Sequence, residues 1–432
     1  MSEAKVTVDN FEEYSQEAVP MAARRSMVKP LVVWIGYAFF PSGIAAAITI
    51  GGSFSFLQAA LIVFIGCIVL VFISGTMGAI GAKTGLSFGL IARYVWGSKG
   101  GRIAALIPPI GLIGWGGTHI SYAAEFLTTA FHINYYLLCF LMAAVFCAIA
   151  LVGFKYMTWV ANLAVPVSII LLGIGAYKGL QEIGGWDALL NADPVGTPIT
   201  VISGITLMVG TFACGTGGGS TDIQRWCKSP FQAVMVAVVT FGVAYVYLML
   251  TGTIISLGAG TTDVVQAFAG LGMLFSATFV VLFLTWTTCD TDYYTSSLAI
   301  SAATGWKRAY GVVIMPTISC VLAMTHFSQY LSIFLIVMVA LIVPLMGVVT
   351  ANFLVVNKRK YPDISVLKEG LVPEWQPGSF IGLILGAATV ILTEQVWNIG
   401  CPAIQGIVVA FAATILFDKL IYRPLPEREA RL

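Results

Sequence analysis

The chain has 432 residues, of which 58% are hydrophobic and only 10% charged, with a formal net charge of +2. Soluble domains carry about 25% charged residues, so this composition excludes an ordinary soluble globular protein. The small net charge gives no footing for nucleic-acid binding, and the eight cysteines form no CxxC pair, so neither a zinc site nor a disulfide framework is expected.

In chain order, the first 29 residues are polar and acidic. They lack an apolar core ending at a small-residue cleavage site, so no removable signal peptide is expected. Twelve apolar segments, each near the roughly 20 residues that cross hydrocarbon, begin near residues 30, 54, 103, 135, 156, 199, 231, 273, 309, 328, 379 and 401. The first contains GYAFFPSGIAAA from Gly36 and is expected to break at Pro41–Ser42–Gly43. Gly81 to Lys99 reads as an amphipathic cytoplasmic connection. The third span carries Trp115, His119, Tyr122 and Phe126 on one helical stripe, with Gly114, Gly116 and Gly117 around the tryptophan. The sixth runs into VGTFACGTGGGSTDIQRW, Val209 to Trp226. Each glycine there gives up about 1 kcal/mol relative to alanine inside a helix, so a continuous helix is not expected. Free backbone groups in hydrocarbon are tolerated only where they line a protected cavity, which makes this break a candidate binding site. The run from 263 to 303 is expected to hold a short extracellular interfacial helix followed by the eighth span.

With a cytoplasmic N-terminus, every one of the 22 Lys and Arg residues except Lys178 falls on the inside. That asymmetry fixes an orientation with both termini cytoplasmic and supports the span count. Each half of the chain opens with an interrupted span, and five spans per half place the second half upside down relative to the first. Such inverted repeats with broken helices mark secondary transporters. The expected organisation is a cytoplasmic tail (1–29), a first five-helix repeat (30–178), an extracellular loop (179–198), a second repeat (199–356), a cytoplasmic loop (357–378), two accessory helices (379–421) and a cytoplasmic tail (422–432). The fold class is therefore an all-α integral membrane protein of the bilayer.

The eighth span reads FLTWTTCDTDYYTSS from Phe283. Its hydroxyls either bond back to their own helix or line a site. Hydroxyl oxygens suit hard cations, and Thr287 with Thr288 would complete a sodium site with carbonyls freed at the first break. Asp290 and Asp292 are either functional groups of the membrane interior or residues near the cytoplasmic exit, solvated or paired with Arg225 or Lys307. Glu125 reads as a gate, a pairing residue or a substrate ligand. Trp115 is either a packing aromatic or a stacking platform. In the second case Phe212 is the opposite wall, with Thr211, Cys214 and free backbone groups reading the edge of a flat ring.

GAKTGL (Gly81 to Leu86), LIARYVWG (Leu90 to Gly97), GWGG (Gly114 to Gly117), the GTFACGT…D…R run (Gly210 to Arg225) and WTTCD (Trp286 to Asp290) together resemble the nucleobase–cation symporter family, most of all its cytosine permease-like branch. The resemblance runs from about residue 18 to the end of the twelfth span. It implies a leucine-transporter-like fold of twelve helices with a 5+5 inverted repeat, broken helices 1 and 6, alternating access and usually sodium coupling. It also implies sodium ligation by the carbonyls of Gly36, Phe39 and Leu284 and the hydroxyls of Thr287 and Thr288, stacking by Trp115 and Phe212, and substrate contact from Thr211, Cys214 and Cys289. Thr211 and Cys214 stand where the cytosine permeases have serines, Cys289 where an asparagine is expected, and Asp292 has no acidic counterpart. The cation ligands are thus kept while the groups that would read cytosine change. Glu125, Asp290, Asp292 and His119 then point to a more basic substrate or to proton coupling.

The leading reading is a sodium-coupled importer of a small planar nitrogen heterocycle, acting in the plasma (inner) membrane and functional as a monomer. The heterocycle would be a nucleobase such as cytosine or a purine, or a related compound. The alternatives are a proton-coupled permease for hydantoin, allantoin, hydroxymethylpyrimidine or a creatinine-like compound, and a transport-dead membrane sensor. No nucleophile–base pair or organic cofactor motif supports an enzyme.

Overall fold

The computed structural model describes residues 13–152, 154–212, 215–421 and Leu425, and these are almost entirely helical. The first half comprises α1 (Val28–Ala38), α2 (Pro41–Ser53), α3 (Phe56–Thr84), α4 (Phe88–Val95), α5 (Gly100–Ala105), α6 (Ile107–Phe131), α7 (Tyr135–Val152), α8 (Phe154–Glu182) and α9 (Trp186–Leu190). The second comprises α10 (Val201–Gly210), α11 (Ser220–Gln224), α12 (Pro230–Val239), α13 (Val246–Ala259), α14 (Val264–Gly270), α15 (Leu274–Thr304), α16 (Arg308–Met324) and α17 (Leu331–Ala351). The short α18 (Ser365–Lys368) precedes α19 (Pro377–Ile391) and α20 (Pro402–Ile421), which pair with each other and pack on α17.

Among the described residues nine helices are long and apolar enough to cross a membrane, or up to eleven if each of two bent helix pairs is one span. The bent pairs are α1 with α2, at 57°, and α10 with the segment Gly215–Gln224, at 46°. The remaining apolar helix, α16, has 17 residues.

The first break lies just ahead of the expected Pro41–Ser42–Gly43. Phe39 and Phe40 are extended, and Pro41 is the first residue of α2. Proline disfavours helical geometry at the residue before it, yet fits the first helical turn, where its missing N–H costs nothing. The proline therefore starts α2 and leaves Phe40 extended. At the second break the glycine run is itself helical: Gly215–Gly219 winds as a π-helical turn into α11. The bend lies N-terminal to it, and Cys214 lies outside the described residues.

Termini elsewhere follow ordinary local chemistry. Ser55 and Gln58 form a capping box at the start of α3, and Gly85 ends that helix in left-handed geometry at φ 72°. Along α3, Leu57, Leu61, Phe64, Ile68 and Phe72 recur at three- to four-residue spacing and are exposed. That stripe is a lipid-facing surface, while Ser74, Gly78 and Gly81 turn inward against α11. The middle of the bundle holds the two breaks, α6 and α15.

Candidate substrate and cation site

The break between α1 and α2 presents its carbonyls to α15. The Thr287 hydroxyl lies 2.9 Å from Gly36 O and 3.2 Å from Leu284 O. The Thr288 hydroxyl lies 3.2 Å from Phe39 O and 2.8 Å from Leu284 O. Neighbouring residues of one helix turn thus bring two hydroxyls onto carbonyls of two helices. The site gathers three carbonyl and two hydroxyl oxygens, all neutral and all hard, which is a donor set suited to a hard monovalent cation and not to a soft metal. Among the described residues no group of three or more His, Cys, Asp or Glu side chains could hold a metal ion.

Beside this cluster lies a narrow cavity, with room for about one water, lined by Tyr37, Phe40, Trp115, His119, Thr211, Phe212, Gly215 and Thr288. Trp115 is stacked on His119, with centroids 5.3 Å apart and planes 20° apart. Phe40 meets Trp115 edge-on at 6.2 Å and Phe212 edge-on at 5.5 Å, so it bridges the two rings expected to face each other. Thr211 Oγ1 lies 3.1 Å from Tyr245 OH and 3.0 Å from Met208 O, and so is engaged within its own wall.

The remaining sequence candidates separate by place. Cys289 is buried on α15 and is not a lining residue of this cavity. Glu125 sits toward the C-terminal end of α6, where its Oε1 accepts from Ser328 at 2.7 Å and Ser121 at 3.2 Å, with His326 Nδ1 3.3 Å away. It is not a lining residue of the cavity. Asp290 and Asp292 are both buried, so the solvated alternative does not apply. Nor is Arg225 their partner: its guanidinium donates to the carbonyls of Glu13 and Tyr14. Asp292 Oδ1 instead accepts from Tyr37 OH at 2.7 Å, and Asp290 Oδ1 accepts from Thr291 at 3.2 Å.

Tyr37, Phe40 and Ser42 went unread in the sequence as site residues. The signal was present in FFPSG: an aromatic immediately before a proline at a span break is held extended and projected into the opening.

No family model matches the chain. It is 28% identical over 355 residues to the cytosine permease of Escherichia coli (strain K12), covering 82% of this chain and 84% of that protein. This likeness supports a nucleobase–cation symporter family for the chain. Its relatives are transporters, and it is a multi-pass membrane transporter and not an enzyme. Among solved structures, MHP1, a nucleobase-cation-symport-1 family transporter in a closed conformation with bromovinylhydantoin bound, superposes with a TM-score of 0.79 at 17% identity, covering 94% of this chain and 95% of that one. The inward-facing conformation of Mhp1 gives 0.77 at 16% identity, covering 96% and 94%. A Na+-coupled sialic acid symporter in a substrate-bound outward-open state gives 0.58 at 11% identity, covering 94% and 97%, so these structures share one fold with this chain.

Proposed function

We propose that this symporter imports a small planar nitrogen heterocycle coupled to sodium, by alternating access. The observation that carries the reading is the contiguity of the two clusters: Thr288 both lines the aromatic cavity and reaches Phe39 O and Leu284 O. A cation bound by Gly36 O, Phe39 O, Leu284 O, Thr287 and Thr288 would tie the first break to α15, and the same tie would shape the wall against which a ring rests. The site residues assigned to substrate are Trp115, His119, Thr211 and Phe212, with Tyr37 and Phe40 added by their place in the wall. Cys214 keeps its proposed role on sequence grounds alone. Cytosine is the substrate named for the Escherichia coli relative, and the flat, aromatic wall here supports a nucleobase or hydantoin-sized ring in general.

The proposed topology has twelve spans, counting α16 beside the nine long helices and the two bent pairs. Two five-helix inverted repeats (30–178 and 199–356) carry the transport core, and residues 379–421 supply accessory helices. The plasma membrane location, cytoplasmic termini and monomeric action belong to the same proposal; the distribution of Lys and Arg supports the cytoplasmic termini.

Ring stacking on Trp115 tests the substrate assignment. An aromatic contact contributes about 0.5–1.5 kcal/mol beyond area burial, and 1.4 kcal/mol is about tenfold in affinity. Trp115→Ala should therefore weaken heterocycle binding at least about tenfold once lost burial is added, while Trp115→Phe keeps much of it. A titration in which Trp115→Ala bound the transported ring as tightly as wild type would remove the assignment.

A further inference from the structure

Beside the substrate cavity stands a buried carboxylate that is only half satisfied. Asp292 lies on α15 one helical turn beyond Thr288, so the two project from the same face. Its Oδ1 accepts from Tyr37 OH at 2.7 Å, while its Oδ2 has no hydrogen-bond partner. Oδ2 is 4.0 Å from His119 Nε2, beyond hydrogen-bond reach. Tyr37 and His119 both line the cavity, so the carboxylate stands between two of its wall residues. His119 is fixed from two sides, by Ser42 Oγ 3.1 Å from Nδ1 and by the Trp115 ring stacked on it.

Among the described residues no Lys or Arg lies within ion-pair distance of Asp292. Asp290, two positions earlier, projects from the far side of the helix. An unpaired carboxylate inside a membrane protein is among the costliest of buried groups, and such residues mark functional sites. What the cavity lacks on this side is a donor-rich, positively charged partner.

We propose that Asp292, with His119 beside it, makes the site selective for a cationic cyclic amidine or guanidine over a neutral imide of the same ring size. The proposal rests on the transporter reading above and names its substrate class. When Nδ1–H of His119 donates to Ser42 Oγ, Nε2 is an acceptor. Asp292 Oδ2 and His119 Nε2 then form a pair of acceptors 4.0 Å apart. A ring-bound guanidinium offers two adjacent N–H donors to that pair, and its charge answers the carboxylate. An imide turns carbonyl oxygens toward the same acceptors and is repelled, which gives discrimination by mismatch as well as by attraction. The Trp115 face beside His119 adds a cation–π surface, for which tryptophan is the best of the aromatic rings.

The test uses the purified full-length protein at fixed sodium, titrated with 2-aminoimidazole, a five-membered cyclic guanidine, and with hydantoin, a five-membered imide. Wild type should bind 2-aminoimidazole at least about tenfold more tightly than hydantoin, and Asp292→Asn should erase that preference. Equal or better binding of hydantoin by wild type, or an Asp292→Asn variant that keeps the full preference, overturns the proposal while leaving the transporter reading standing. If wild type binds neither ring nor any other heterocycle, both fall together. Where Asp292→Asn fails to fold, Tyr37→Phe takes its place. It frees Oδ1 without removing the charge and should widen the preference for 2-aminoimidazole, and a narrowed preference counts against the proposal.

Discussion

Thr288 is the residue on which the two halves of the site meet. It touches the aromatic cavity with one side and the carbonyls of Phe39 and Leu284 with its hydroxyl. Thr288→Ala removes one oxygen of a proposed five-oxygen set and is expected to raise the sodium concentration needed for half-maximal heterocycle binding by about tenfold or more, since hydrogen bonds and ligation to charged partners contribute about 1.5–3 kcal/mol. Thr288→Ser keeps the oxygen and should stay near wild type. Sodium titrations of ligand binding read both, and unchanged sodium dependence in the alanine variant would move the cation elsewhere. At this scale the hydroxyl pair stood out because so polar a stretch is out of place in a membrane span, and Trp115 and Phe212 because glycine runs surround them. Tyr37, Phe40 and Ser42 were not, because aromatic and small residues are ordinary in spans; Tyr37 and Phe40 line the cavity at the 57° bend, and Ser42 reaches it only through His119. The partner of Asp292 was also beyond the sequence: Tyr37 is 255 positions away.

The helices approach closely where glycine leaves room. A Cβ on Gly81 of α3 would stand 2.7 Å from Thr221 O and 2.9 Å from Thr221 Cα, both backbone atoms of α11 that cannot rotate aside. Gly81→Ala should therefore push α3 from α11 and cost about 1–3 kcal/mol, the range for overpacking. A melting temperature equal to wild type would show that α11 yields freely. The segment from Glu13 to Met27 ties together α3, α11 and α15. Buried Arg225 donates to the carbonyls of Glu13 at 2.9 Å and Tyr14 at 3.1 Å, and Gln16 Nε2 bonds Ser301 Oγ at 3.0 Å. Val19 N donates to Gly85 O at 2.9 Å and Arg25 N to Trp226 O at 2.7 Å. Arg225→Ala should loosen this strap and speed maleimide labelling of Cys227, which is fully buried, in a background where it is the sole cysteine. Labelling at the wild-type rate would mean the strap does not depend on Arg225. No periodicity or motif announced this segment, because its order comes from capping carbonyls of distant helices. By contrast the short α14 ahead of α15, and the amphipathic α4, were legible from polarity alone.

Over the whole molecule, the distribution of Lys and Arg carries the topology. Single cysteines placed at Lys178 and at Lys360 should react with a membrane-impermeant reagent from opposite faces, Lys178 from outside and Lys360 from inside. Labelling of both from one face would break the proposed orientation. The all-helical membrane architecture was readable because hydrocarbon demands long apolar segments, which stand out from any background. The site was readable only in part, because a cavity is made by residues from separate helices whose bends are set by local backbone chemistry. The central claim, cation-driven import of a flat heterocycle, is tested most directly by uptake into proteoliposomes. A panel of labelled nucleobases, hydantoin and cyclic guanidines would be offered with and without an inward sodium gradient. At least one ring should accumulate against its own gradient only when sodium is imposed, and Thr288→Ala should abolish that accumulation. Accumulation indifferent to sodium, or equally strong in Thr288→Ala, would contradict the assignment.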